Sequence, residues 1–210
     1  MKDELQRFTP TGLPSTVVNQ QGEKNVHIDH AETVNQNITI NFPYMRRASG
    51  SAKPSSRTIN PNYYNLFVMG GEDYEQDHFL VPADRALPYY WTSEELRKKY
   101  GSLTDEAIEE IKTFPALFMA ESTGYYAKAG DEQQAFLGFV DAVRVQDNGI
   151  KIRCQLVLPI PMQQICDIGF ELGMRDMEKA LTEVNRTHWS IKRINLIEEL
   201  KDANINLWGL

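Results

Sequence analysis

The side chains with the widest chemical repertoire lie close together near the C-terminal end of this 210-residue chain. Asn185-Arg186-Thr187-His188-Trp189 sets a guanidinium, a hydroxyl, an imidazole and an indole in succession, with Lys192 and Arg193 just beyond. Such a set suits a ligand. The indole offers a stacking face, the guanidinium a fork for an anion, and the imidazole a hydrogen bond or a proton. Arg186, His188, Trp189, Lys192 and Arg193 are therefore the expected binding residues. The competing expectation is structural: Trp189 anchors a core, while Asn185 and Thr187 satisfy turn backbone.

Other chemistry is weakly written. Gly70-Gly71 follows a strand-like run without the further glycines or the Gly-Lys-Ser/Thr of a phosphate loop, so it reads as a turn. No serine sits in a nucleophile-elbow frame, and no His-Glu-x-x-His occurs. His27 and His30 fall in a strand-like segment, where residues three apart face opposite sides and cannot share a metal without a turn. Asp77-His78 could orient a general base, with Cys154 or Cys166 as nucleophile, yet both cysteines are set among apolar residues that raise a thiol pKa. Tyr125-Tyr126 with Lys128 could stack on bases or cover the base of a loop. No catalytic residue, metal site or cofactor is expected, and a non-enzyme is favoured.

The elements that position these residues follow from period and punctuation. With 41% hydrophobic and 24% charged residues the composition is that of an ordinary globular chain. A net charge of −7 argues against general affinity for phosphate backbones, while leaving local basic patches open. No apolar run approaches the ~20 residues that cross a bilayer. Met1-Lys2-Asp3-Glu4 leads into polar sequence with no secretory h-region, so a cytoplasmic protein without a membrane segment is expected. Residues 1–22 read as disordered, 23–44 as a β-forming arm, 45–58 as a flexible basic linker, and 59–210 as a globular α+β domain.

Within the domain, runs at 63–69, 78–81, 116–120 and 189–194 read as strands. Thr92 with Glu95, Thr104, and Asn195 with Glu198 read as helix caps. Met162, Ile165, Cys166, Gly169 and Leu172 recur at helical spacing, and Met177 and Leu181 suggest a further helical turn. The strongest signal is a hairpin. Alternating Val143 and Val145 lead through Asp147-Asn148-Gly149 to alternating Ile150, Ile152, Cys154 and Leu156, with Asn-Gly supplying the positive φ of a tight turn. The fold class expected is α+β: a sheet based on an antiparallel hairpin, several short helices, and an extended β-forming N-terminal arm.

The arm, Asn25-Val26-His27-Ile28-Asp29-His30-Ala31-Glu32-Thr33-Val34-Asn35 followed by Asn37-Ile38-Thr39-Ile40-Asn41, resembles short Asn- and Ile-rich β-segments of bacterial defence and effector-associated proteins. The body from about Tyr63 to Leu200 is similar to uncharacterised modules that accompany such effectors. No catalytic residue comes with the resemblance; it implies company, a protein partner or effector chain. The leading expectation is thus a non-enzymatic accessory or adaptor module of a bacterial defence system, with residues 25–42 mediating self-association or docking. The alternative is a nucleotide or nucleic-acid sensor using the Arg186 to Arg193 region and the basic linker. An enzyme of unfamiliar type comes third.

Overall fold

A computed structural model describes residues 38–42, 55–72, 74 and 76–207. The expectations for 1–37 and 43–54 lie outside these residues. Strand β1 (Ile38–Phe42) pairs antiparallel with β2 (Ser55–Ile59), Ile38 opposite Ile59. Residues 55–58, expected to complete a flexible linker, are therefore strand. The reason is Arg57, whose guanidinium donates to the Lys112 carbonyl at 3.1 Å and the Val140 carbonyl at 3.0 Å. It also pairs with Asp141 and lies over the Phe139 ring. A basic, Gly/Ser-rich window says nothing of partners 55 and 84 positions along the chain.

The main sheet has six strands: β3 (Tyr64–Met69), β4 (His78–Val81), β5 (Pro115–Ala120), β6 (Gln134–Gln146), β7 (Gly149–Pro161) and β8 (His188–Lys192), in the order β4-β7-β6-β5-β3-β8. Only β3 and β5 run parallel; every other pair is antiparallel. The helices are α1 (Glu94–Tyr100), α2 (Asp105–Ile111), α3 (Met162–Asp167) and α4 (Leu196–Asp202). The protein is α+β. Thr104 and Asn195 cap α2 and α4, accepting from Ala107 and Glu198 amides. The cap of α1 is Ser93, which accepts from Leu96 N, and Thr92 is instead buried. The helical turn expected around Met177 does not form. Gly173 and Asp176 take positive φ, and only a 3-10 turn, Glu183–Asn185, follows.

Apolar residues divide between the two faces of the sheet. On one, Phe67, Phe79, Phe118, Val143, Ile152 and Trp189 pack with Leu96, Tyr100 and Ile111 of the first helix pair. On the other, Leu66, Leu117 and Leu137 pack with Ile165, Leu196 and Leu200 of the second pair. Strand β3 is buried throughout. The second core stops short of the β4 edge, so the end of the sheet built from β4, the start of β7 and the end of β6 is covered on one face only. Among the described residues no helix is long and apolar enough to cross a membrane.

Two register shifts on the β6–β7 hairpin decide which side chains meet solvent there. The shift between Val140 and Ala142 makes Asp141 an extra residue, so Val140 and Val143 both enter the first core while Ala142 and Arg144 face outward. At the tip, Gln146 pairs with Gly149, so the turn residues are Asp147 and Asn148 and neither has positive φ. Gly149 alone does, at +139°, directly after the turn. The Asn-Gly turn expected from sequence is thus displaced by one residue, with the glycine absorbing the mismatch between turn and strand twist.

A Cβ on Gly149 would lie 2.5 Å from the Val81 carbonyl oxygen of β4. Gly149→Val should therefore lower stability by about 1–3 kcal/mol, through backbone strain and the push against β4. Urea denaturation checks this; an unchanged midpoint would show that β4 is not held against the turn.

Candidate functional site

Strand alternation separates the residues that the sequence groups together. Trp189 turns into the first core, where its ring stacks on Phe67 at 5.4 Å and its indole N–H donates to Asn65 Oδ1 at 3.1 Å. It is a core anchor. Arg186 and Arg193 are exposed, and Arg193 lies 3.7 Å from a still more exposed Glu95, a pair worth little. His188 and Lys192, on the opposite side of β8, do converge, on Glu183.

Glu183 is wholly buried. Lys192 Nζ lies 2.7 Å from its Oε1 and 2.9 Å from its Oε2, and also donates to the Trp91 carbonyl at 3.1 Å. His188 Nε2 lies 3.0 Å from Glu183 Oε1, while its Nδ1 faces the Arg186 carbonyl at 2.8 Å. Ser190 Oγ and the Arg175 amide donate to the same carboxylate. Burial by itself would raise the Glu183 carboxyl. The His188 hydrogen bond and the Lys192 charge outweigh it, so the group is held below its usual value of 4.5. Burial lowers the Lys192 ammonium against the pull of Glu183. Every oxygen of Glu183 is engaged from within the protein. The cluster fastens the 175–187 segment to the β8 edge and leaves no lone pair for a ligand.

The exposed end of the sheet is different. His78, Arg153 and Ala142 form one row across β4, β7 and β6, and Leu80, Lys151 and Arg144 form the next. His78, Arg144, Lys151 and Arg153, with Ala142 and Asp77, line a cavity of about 220 Å³. Asp77 is placed by its carbonyl, which accepts from Cys154 N at 2.8 Å and prolongs the β4–β7 ladder. Its carboxylate meets His78 Nδ1 at 3.0 Å, and that hydrogen bond, with the charge of Arg153 adding to it, holds the carboxyl below its usual 3.8. A second cavity of about 540 Å³ shares His78 and Lys151 and is otherwise lined by Gly71, Glu72, Gln76, Phe79, Leu80, Gln146 and Asn148. Arg144 directly opposite Lys151 is a like-charge pair, which destabilises a sheet unless something anionic lies between.

The cysteines give this site no nucleophile. Cys154 faces the first core, away from His78, and burial pushes its thiol up to about 12; burial likewise raises Cys166 to about 11. Tyr125 and Tyr126 stand in solvent, 64% and 63% exposed, rather than covering their loop. That loop is pinned by Gln133, Gln163 and Asn185, which bond its backbone at Glu121, Gly130, Ala127, Ala129, Ser122 and Gly124. Among the described residues no group of acidic, histidine or cysteine side chains could hold a metal ion. Sequence reasoning missed the cationic groove, although Arg144, Lys151 and Arg153 alternate with the apolar residues of the very hairpin it identified.

Glu183→Gln should cost about 3–5 kcal/mol, because it leaves Lys192 buried without its counter-charge. The sign with pH follows from the lowered Glu183 pKa. Its contribution is complete above pH 4.5 and is lost as pH falls through the lower folded value, so the gap between wild type and variant narrows in acid. Thermal melts at pH 7 and pH 3 check both statements. No family model, curated protein or solved structure matches the chain, so the reading of this site rests on its own geometry.

Proposed function

We propose that the protein is a recognition module that binds a phosphate-bearing ligand in the groove between β4, β7 and β6. The observation that carries this reading is the concentration of Arg144, Lys151, Arg153 and His78 around one cavity, in a chain whose net charge is −7. Guanidinium and ammonium groups held on adjacent strands offer an anion several charge-assisted hydrogen bonds without rearrangement. Strands also fix such groups more closely than loops do. This reading takes up the nucleotide or nucleic-acid alternative and moves it from the Arg186 to Arg193 region to the opposite edge of the sheet. The accessory-module alternative, with a protein partner and a bacterial defence role, rests on the missing catalytic signature, the resemblance of the body and the arm, and residues 25–37 of the arm lie outside the described residues.

The like-charge pair makes the test two-sided. Arg144→Gln should raise the melting temperature of the free protein slightly at low salt, by relief of a repulsion worth roughly 0.2–1 kcal/mol. The same substitution should abolish the stabilisation that pyrophosphate gives the wild type, which at 100-fold excess over Kd is about 2.7 kcal/mol. Differential scanning calorimetry with and without pyrophosphate, at low and high salt, reads both. Equal stabilisation of the two proteins would sink the proposal.

A further inference from the structure

The two cavities differ in chemistry and adjoin through shared residues, and that contrast specifies more than an anion. The smaller is cationic. The larger carries the side-chain amides Gln76, Gln146 and Asn148, the carboxylate Glu72 and the apolar surface of Leu80, which is 38% exposed. Lys151 and His78 stand on the boundary, lining both. Resting on the phosphate-binding reading, we propose that the groove is a mononucleotide site, with phosphate in the smaller cavity and nucleoside in the larger.

Each part of a nucleotide finds a matching group. Arg144 and Arg153 supply forked donors for phosphate oxygens, and Lys151 a point charge at the junction. A carboxylate accepts from vicinal hydroxyls, and Glu72 is placed for this role by the backbone two residues on: its Oε1 accepts from Tyr74 N at 3.0 Å, fixing the side chain, and Oε2 has further lone pairs to offer. Amide side chains present a donor and an acceptor together, the pair that reads a base edge, and Leu80 offers an aliphatic surface for a base face to lie on. Gly71, which lines the larger cavity, has a φ of +73° and open space where a Cβ would lie. The larger cavity is an open cleft of about 540 Å³, room enough for a nucleoside laid along it.

Isothermal titration at low salt, with the full chain and with pyrophosphate, ribose 5-phosphate, AMP, UMP and a single-stranded RNA dodecamer as probes, separates the parts. The expected result is that AMP or UMP binds at least about tenfold more tightly than ribose 5-phosphate. Gln146→Ala with Asn148→Ala should reduce the nucleotide to the affinity of ribose 5-phosphate and leave pyrophosphate unchanged. Because Asn148 sits in the hairpin turn, Gln76→Ala serves as a second variant remote from the turn, with the same expected loss. Arg153→Gln should weaken every phosphate-bearing probe. If pyrophosphate binds and the nucleotides bind no better than ribose 5-phosphate, the nucleoside subsite is overturned while the phosphate reading stands. If no probe binds, both fall. RNA binding far tighter than any mononucleotide, with a steep salt dependence, would overturn the mononucleotide assignment in favour of a strand.

Discussion

Arg57 and Asp141 meet across 84 positions of sequence, and the outward geometry of the groove depends on what they hold. Asp141 is the residue inserted by the bulge in β6. Were Asp141 paired in regular alternation instead of bulged, Ala142 and Arg144 would turn into the first core and Val143 into solvent, because a one-residue slip exchanges the faces of a strand. The guanidinium of Arg57 ties the bulge to the carbonyls of Val140 and Lys112. It thereby joins β2, the end of α2 and the irregular point of β6. Bulges re-aim side chains at sheet rims, and here the effect is to bring Arg144 opposite Lys151 and Ala142 opposite Arg153. A small side chain beside a large cation leaves room for something to enter.

The two ends of the sheet treat charge in opposite ways. At the β8 end Glu183, Lys192 and His188 are sealed from water and saturated with one another, so their cost of desolvation is met by internal hydrogen bonds. Such a cluster specifies one docking of the 175–187 segment and is closed to other partners. At the β4 end Arg144 and Arg153 are exposed and Lys151 and His78 half-buried, all gathered on one face, with Asp77 engaged mainly by His78. Like charges held side by side on a sheet are a local conflict in the free protein, of the kind that persists at sites where a ligand resolves it.

Much of the scaffold could be read from residue order because it rests on local rules. The hairpin and the strand around Trp189 follow from alternation, the strands around Phe67 and Phe118 from short apolar runs, and the caps at Thr104 and Asn195 from side-chain oxygens near amides. The misses share a cause: they were settled by contacts far apart in sequence. Thr92 with Glu95 has the spacing of a capping box, yet Ser93 takes the cap and Thr92 is buried. Residues 55–58 look like tether until the acceptors of Arg57 are known. The Asn185 to Arg193 region looked like a site because its residue types are rich, but a strand distributes neighbours to opposite faces, so Trp189 and His188 never meet one ligand.

The groove was legible in part. Lys151 and Arg153 share parity on β7, and the turn fixes Arg144 opposite Lys151 once Gln146 is paired with Gly149. What residue order does not contain is the third strand. β4 arrives from more than 70 positions earlier, bringing His78 against Arg153 and Leu80 against Lys151, and only then does a basic strand face become a walled cavity. The pairing of Cys154 N with the Asp77 carbonyl extends that wall past the end of the strand and sets Asp77 beside His78. A carboxylate at this position limits how many negative charges the groove can accept at close range, since it repels whatever the arginines attract. It therefore favours a ligand with its charge concentrated at one end, near Arg144 and Arg153, over one whose charge is spread along the whole groove.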